Sequence, residues 1–370
     1  MKIVVVGAGY AGTIAANHLA KKLPDAELTV VNPRADFVER VRLHQQIAGT
    51  GSAATPLTSM LAETIHTVLG SVNKIGDGSL TLEDGASLDF DYLLLAVGST
   101  VRAPAGTVPV GTWEGAQQSR AALAELPGGS VVTVVGGGLT GIEVVSEVAE
   151  ARPDLRVRIV GEKIGASLSP GAQDRVRAEL TRMGVDIVED RVVDIDTSGG
   201  GGSGTIALRS GDRVDSDLTL WAIVADVPDL AARSGLDVTA EGRAVVDEYL
   251  RSVTDPRVFV VGDCAAVPGA RFACATATPQ GAHAAKVIVR TIKGRRLKRF
   301  SMGYVGQSLS LGRNGGLLQM CRRDDTPRRM YLTGRIAATS KESIVRYAKY
   351  GSRTAHYAWM PGGQSPKLTA

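Results

Sequence analysis

Apolar residues fill Ile3–Val6, give way to a glycine turn, and resume at helical spacing from about Gly12 to Lys22. A Pro24-Asp25 turn then leads into a second strand-like run, Leu28–Val31. Short apolar runs bounded by turn residues are the pattern of strands buried on both faces, so this stretch reads as one βαβ unit. The order recurs as strand Val131–Val135, glycine turn, helix Leu139–Arg152, Pro153-Asp154 turn and strand Arg156–Val160. Two copies about 130 residues apart predict two nucleotide-sized α/β units, since a solenoid repeats at much shorter periods.

Between the copies, Leu80–Leu82 and Leu88–Phe90 flank Glu83-Asp84-Gly85, a hairpin signal, and Tyr92–Val97 suits a buried parallel strand. Ala103–Thr112, with Pro104 and Pro109, reads as a crossover, and Ser198–Gly204 as a Gly/Ser hairpin tip. Val258–Val261 is a further buried strand, which we place back in the first sheet. Apolar residues then partly alternate from Tyr304 to Met320 around Arg313-Asn314-Gly315-Gly316, as in a hairpin. Gly334 to about Tyr350 follows as a helix, with Arg335, Lys341, Arg346 and Lys349 on a polar side and Ile336, Ile344, Val345 and Ala348 elsewhere. Such a helix covers a sheet or makes a homodimer contact. A basic amphipathic helix with Trp359 nearby also has the form that lies peripherally on a membrane.

These elements predict an α/β protein of two Rossmann-like dinucleotide-binding domains and a short C-terminal α+β region. The first domain is discontinuous, at 1–105 and 246–300. The second, at 106–245, is inserted into it, and 301–370 form a C-terminal interface region.

A chain of 370 residues, 44% apolar, is long enough for several cores. The net charge of +4 comes largely from Lys293, Arg295, Arg296, Lys298 and Arg299, then Arg322, Arg323, Arg328 and Arg329. We read these clusters first as solvated loops and second as a surface for anionic lipid or an acidic partner; no aromatics interleave with them, which argues against nucleic acid. Cys264, Cys274 and Cys321 show neither a C-x-x-C pair nor a ligand spacing, so no metal site and no disulfide framework is expected, and a cytoplasmic location fits. No apolar run approaches the roughly 18 residues that a membrane span requires.

Gly7-Ala8-Gly9-Tyr10-Ala11-Gly12 follows a strand and opens a helix, the context in which such a turn grips a diphosphate. Gly7 permits the turn, Gly9 lets the backbone approach the phosphates, and Gly12 allows close packing of the helix, whose terminal N–H groups face the charge. About 20 residues on, where an acidic residue usually meets the ribose, stands Asn32, whose amide can still hydrogen-bond a hydroxyl. Gly136-Gly137-Gly138-Leu139-Thr140-Gly141 repeats the arrangement, with Glu143 on the first helical turn. After the next strand, Glu162 suits the ribose of NADH and Lys163 the 2′-phosphate of NADPH, with NADH slightly preferred.

Two further segments complete a resemblance. Leu93-Leu94-Leu95-Ala96-Val97-Gly98 and Val258-Phe259-Val260-Val261-Gly262-Asp263, together with both glycine turns, resemble the four ordered motifs of the FAD-dependent pyridine nucleotide-disulfide oxidoreductase superfamily. The chain is most similar to the branch of type II NADH dehydrogenases and apoptosis-inducing-factor-like reductases, over roughly Met1 to Arg290. The resemblance implies FAD on the first unit and NADH or NADPH on the second. It implies that Asp263 holds the ribityl chain, that Gly98 and Gly262 shape the site, and that Pro279 and Gln280 lie at the flavin ring. Phe37–Gln46, with Arg40, Arg42 and His44, corresponds to a region beside the flavin. His44 is a candidate proton donor there, or an ordinary core histidine.

Three departures refine these expectations. No cysteine precedes Cys264, which argues against thiol-disulfide chemistry. Gln280 matches one glutamine of a quinone-reducing relative's motif, whereas Ala275 and Pro279 replace two others. In Leu220–Pro228, Val224 stands where the family has a glycine that admits the nicotinamide, and a branched residue resists φ > 0. The expected function is hydride transfer from NAD(P)H to flavin and on to a quinone or small organic acceptor. Two alternatives remain: a flavoenzyme acting directly on an organic substrate with its nicotinamide pocket disabled, and a flavin-bound redox sensor or docking protein.

Overall fold

A computed structural model of the chain describes residues 1–196 and 202–362. The first sheet is parallel and five-stranded, in the order Val258–Val260, Tyr92–Leu95, Lys2–Val6, Glu27–Asn32, His66–Leu69. The late strand pairs Val258 with Leu93, Phe259 with Leu94 and Val260 with Leu95, so two distant stretches of chain build one sheet. The second sheet, also parallel, runs Val108–Pro109, Leu218–Trp221, Val131–Val135, Arg156–Val160, Asp186–Val188. The expected crossover at Ala103–Thr112 therefore carries an edge strand, and Pro109 is tolerated because an edge needs no full set of N–H donors. Strand residues such as Val5, Leu94, Val134 and Ile159 are buried, as the unbroken apolar runs require for sheets covered on both faces.

In each sheet the strand before the glycine turn lies between the next strand of its βαβ unit and a strand from later in the chain. That is the point where the chain order reverses and where α/β sheets open a crevice. Helix Tyr10–Lys22 crosses helix Cys274–Ile292 so closely that a β carbon on Gly281 would stand 2.1 Å from the Ala11 carbonyl oxygen. Strands Val192–Asp196 and Gly204–Leu208 pair antiparallel; the expected tip at Ser198–Gly204 lies mostly outside the described residues.

After residue 300, strands Gly306–Leu311, Gly315–Cys321 and Pro327–Thr333 form an antiparallel sheet. Leu309, Leu311 and Leu317 join the core of the second unit, alongside Val132 and Ile142. Helix Gly334–Thr354 lies over this sheet and reaches the first unit, where Asn17 Nδ2 donates to the Ser352 carbonyl at 2.9 Å. The C-terminal region thus fastens the two units together. The faces of this helix differ from the sequence expectation. Lys341 is buried and Lys349 turns inward to Glu39 and Thr55, while Ile336 is 70% exposed and Ile344, Tyr347 and Tyr350 also face solvent. Arg335 and Arg346 face solvent and Val345 and Ala348 are buried, as expected, whereas the two lysines turn inward because they find acidic partners on both units. Among the described residues no helix is long and apolar enough to cross a membrane.

Candidate active site

The first glycine turn is held by the Gly7 N–H, which donates to the Val31 carbonyl at 2.8 Å. Gly7 sits at φ +98°, a region closed to most side chains, and a β carbon on Gly12 would stand 1.8 Å from the Gly7 carbonyl oxygen. Around Gly9, by contrast, nothing lies within 4 Å of an added β carbon, which leaves the helix beginning open. The second turn reproduces this: Gly136 donates to Val160 at 2.8 Å, Gly141 abuts the Gly136 carbonyl, and Gly138 is open. Both following helices, Tyr10–Lys22 and Leu139–Ala151, lack a side-chain cap, so their first N–H groups are available to an anion.

One cavity of about 1060 Å³ joins the two turns. Gly9, Gly98, Gly262 and Asp263 line it from the first unit; Gly136, Gly138, Glu143 and Glu162 line it from the second. Such a volume is at the top of the range for a single drug-sized ligand, about 300–1,000 Å³, and suits two extended ligands meeting end to end. Asp263 follows strand Val258–Val260 and accepts a 2.6 Å hydrogen bond from Ser99, with Arg40 at 3.8 Å. Arg40 is pinned in turn on the Ser99 and Gly111 carbonyls, both at 3.0 Å. Burial lifts the Asp263 carboxyl above its ordinary value, while Ser99, Arg40 and Arg243 pull it back. A carboxylate so placed presents an acceptor to ligand hydroxyls.

At the centre of the cavity wall, His44 is buried with Nδ1 3.8 Å from Glu143, too far for a hydrogen bond, and no described residue partners its buried Nε2. Burial first, then Lys341, Arg313 and Arg42, hold this imidazole well below its ordinary pKa, so it is neutral near pH 7. His44 is thus an uncharged imidazole packed into the wall, with a buried nitrogen that no described residue satisfies. Glu143 is bound to Lys341 and accepts from the Ser310 N–H at 2.9 Å, and Lys341 donates to Ser310 Oγ at 2.8 Å. This network ties helix Leu139–Ala151 to the C-terminal helix and sheet.

The family described as pyridine nucleotide-disulphide oxidoreductase matches residues 1–286. The chain belongs to this family. It is 28% identical to ferroptosis suppressor protein 1 of Xenopus laevis, over 86% of the chain and 88% of the relative. It is also 28% identical to an NADH dehydrogenase-like protein of Mycobacterium tuberculosis, over 93% and 92%. Among solved structures, the sulfide:quinone oxidoreductase of Aquifex aeolicus superposes with a TM-score of 0.79 at 17% identity, covering 96% of this chain and 92% of that one. This pyridine nucleotide-disulphide oxidoreductase family member is an FAD-dependent NAD(P)H oxidoreductase.

Within the family member's site, several residues expected at the ligands stand behind the cavity wall. Asn32 spends its amide on the turn itself, with Oδ1 accepting from Ala8 N–H at 2.9 Å and Nδ2 donating to the Arg34 carbonyl at 2.7 Å. Arg42 forms a two-pronged pair with Glu342 at 2.8 and 2.9 Å, leaving Arg40 as the arginine of this segment that lines the cavity. Pro279 and Gln280 lie buried inside helix Cys274–Ile292, and Gln280 Oε1 accepts the Gly262 N–H at 2.8 Å, so it braces the Asp263 turn. Val224 does line the cavity, but without a positive φ. It is accommodated because position 111 is glycine: a β carbon there would stand 2.7 Å from Val224 Cγ2 and 2.8 Å from Val101 Cγ2. Ser99, which lines the cavity, and Arg243 and Lys341, which back Asp263 and Glu143 from behind its wall, are not singled out as site residues by the sequence reading. Ser99, directly after Gly98, had a sequence signal; the other two had none.

Proposed function

We propose that FAD lies along the first glycine turn and NADH or NADPH along the second, their reactive rings meeting in the shared cavity. The observation that carries this reading is the single cavity joining two equivalent helix beginnings. Gly7 and Gly12 set the first turn, Gly9 gives the FAD diphosphate room, and Asp263, flanked by Gly98 and Gly262, receives the ribityl hydroxyls. Asn32, Arg42, Pro279 and Gln280 serve the flavin indirectly by holding the surrounding backbone. Gly136, Gly138 and Gly141 play the corresponding parts for the nicotinamide nucleotide, and Glu162 faces its adenosine ribose. FAD held by these residues would supply the redox chemistry, hydride uptake from the nicotinamide and electron delivery to a quinone or small organic acceptor. Glu143 acts by fixing the His44 side of the cavity against the C-terminal helix, and neutral His44 is the candidate proton donor there once a ligand displaces the wall that covers its Nε2.

Anaerobic mixing with NADH or NADPH should bleach the flavin absorbance of the purified protein; a flavin that stays oxidised with both overturns the reading. Val224 narrows the nicotinamide approach, so Val224→Gly is expected to speed stopped-flow bleaching about tenfold with unchanged flavin content. An unchanged rate would show that Val224 is no obstruction.

The C-terminal helix supports peripheral attachment to an anionic lipid surface. Ile336, Tyr347 and Tyr350 are exposed at helical positions that share one stripe, and exposed Arg335, Arg346 and Arg353 form a parallel row beside it. The protein should sediment with phosphatidylglycerol vesicles and not with phosphatidylcholine ones, and Ile336→Glu with Tyr347→Glu should abolish this. Equal recovery with both lipids, or none, counts against attachment.

A further inference from the structure

The outer rim of the second nucleotide site carries more positive charge than an NADH ribose needs. Glu162 and Lys163 follow strand Arg156–Val160 on a loop locked to the glycine turn: Gly165 N–H donates to the Gly137 carbonyl at 2.8 Å, and a β carbon on Gly161 would stand 2.5 Å from Gly137 N. Beside them, Arg191 opens strand Val192–Asp196 and Arg209 ends the partner strand. The Arg209 N–H bonds the Arg191 carbonyl at 2.9 Å, so the two side chains leave neighbouring points of one ladder. Both guanidinium groups converge on a single oxygen of Glu162, from Arg191 at 3.8 Å and from Arg209 at 3.7 Å. These are ion pairs beyond hydrogen-bond length between groups all more than half exposed, which contribute little and leave the N–H donors uncommitted.

The other nearby acids are differently occupied. Asp190 is held below the ordinary carboxylate range first by the Ser210 side chain and then by the N–H groups of Arg191 and Ser210, which it accepts, with Arg209 3.9 Å away. Glu189 is turned onto the Ile164 N–H and Arg177. Lys163, Arg191, Glu162 and Asp190 all line the cavity. Arg209 stands behind this lining, within 3.9 Å of both carboxylates, so three cations meet two carboxylates, one of them already satisfied by backbone.

We infer that Lys163, Arg191 and Arg209 form a binding site for the 2′-phosphate of NADPH, so that the arginine pair exchanges Glu162 for the phosphate and the protein accepts NADPH at least as well as NADH. The inference rests on the reading of the second glycine turn as the nicotinamide nucleotide site. Planar guanidinium groups match phosphate oxygens in pairs, and a dianion outcompetes the single carboxylate that now shares them. NADH leaves Glu162 tied to both arginines and only partly available to the ribose hydroxyls.

The test is calorimetric titration of the FAD-loaded protein with NADPH, NADH and the redox-inert fragments adenosine 2′,5′-bisphosphate and 5′-AMP. The expected result is an NADPH Kd no weaker than that for NADH at low salt, a bisphosphate that binds more tightly than AMP, and a steeper rise of the NADPH Kd with salt. Arg191→Ala with Arg209→Ala should weaken NADPH and the bisphosphate by about tenfold or more while changing NADH less than about threefold. Glu162→Gln should shift the ratio further toward NADPH. All three residues are exposed, so folding is not at stake. NADH binding about thirtyfold tighter than NADPH, or equal weakening of both in the arginine variant, overturns the phosphate site while leaving the nucleotide site standing. Binding of neither nucleotide nor fragment overturns both.

Discussion

Gly12→Ala is expected to purify without bound flavin and to melt well below the parent protein. Its β carbon would stand 1.8 Å from the Gly7 carbonyl oxygen, a backbone atom that cannot swing aside. Gly7 is itself fixed by its bond to Val31 and by the Ala96 carbonyl, only 2.5 Å from where a Gly7 β carbon would lie. The helix must therefore move off the sheet, against the tight crossing of Ala11 and Gly281, and overpacking of this kind costs about 1–3 kcal/mol or more. Gly9→Ala is the complementary variant. An added methyl meets no protein atom within 4 Å, so the fold should be retained, with a melting temperature within about 2 °C of the parent. The methyl occupies the space we assign to the diphosphate, and FAD should be lost or held at least about tenfold more weakly. The flavin-to-protein absorbance ratio and a melting curve measure both, and a fully yellow Gly9→Ala protein would sink the assignment of the first turn.

The second large effect is expected at Lys341. Its ammonium is buried against Glu143 and Ser310, and replacement by methionine leaves the Glu143 carboxylate with the Ser310 N–H and without its cation. Breaking one side of a buried pair costs about 3–5 kcal/mol, whereas removing both charges costs far less. Lys341→Met should accordingly lower the urea midpoint sharply, and Lys341→Met with Glu143→Gln should recover most of the loss; no recovery would show that the two do not act as a pair. The variant also changes the response to acid. Because the folded state holds His44 well below the 6.5 of a free imidazole, the unfolded chain binds this proton first. The stability linked to His44 is complete above about pH 6.5 and declines as the pH falls below it. After burial, Lys341 is the largest contributor to that depression, so the variant should show a shallower loss between pH 7 and pH 5.

Much of the architecture was legible because its determinants are local. A glycine that relieves a carbonyl five residues away, or an apolar run between turns, carries its reason within one short stretch. The two units, the return of Val258–Val260 to the first sheet and the position of Asp263 at a strand end follow from such patterns. The destinations of polar side chains do not. Asn32 and Gln280 have the chemistry to touch a ligand, yet each satisfies a backbone N–H of the turn beside it. Arg40 and Arg42 differ in role only because Glu342, from the far end of the chain, claims Arg42. A partner also remote in sequence, Glu143, buries Lys341, so residue type alone misplaced part of the last helix although Val345 and Ala348 do face inward. Val224 looked incompatible with its place because Gly111, which makes room for it, is remote in sequence.

The order in which the first sheet is assembled has a consequence for biosynthesis. Every strand of the second parallel sheet lies between Val108 and Trp221, so the ribosome exposes all of them before it has made Val258–Val260. The second parallel sheet can pair while the unit surrounding it still lacks an outer strand and the Asp263 turn, and Leu309, Leu317 and Lys341, which complete its core and its ties, emerge later still. The growing polypeptide therefore passes through an interval with an unfinished β edge, the kind of surface that recruits chaperones. Flavin capture is thereby deferred to the last stages of translation.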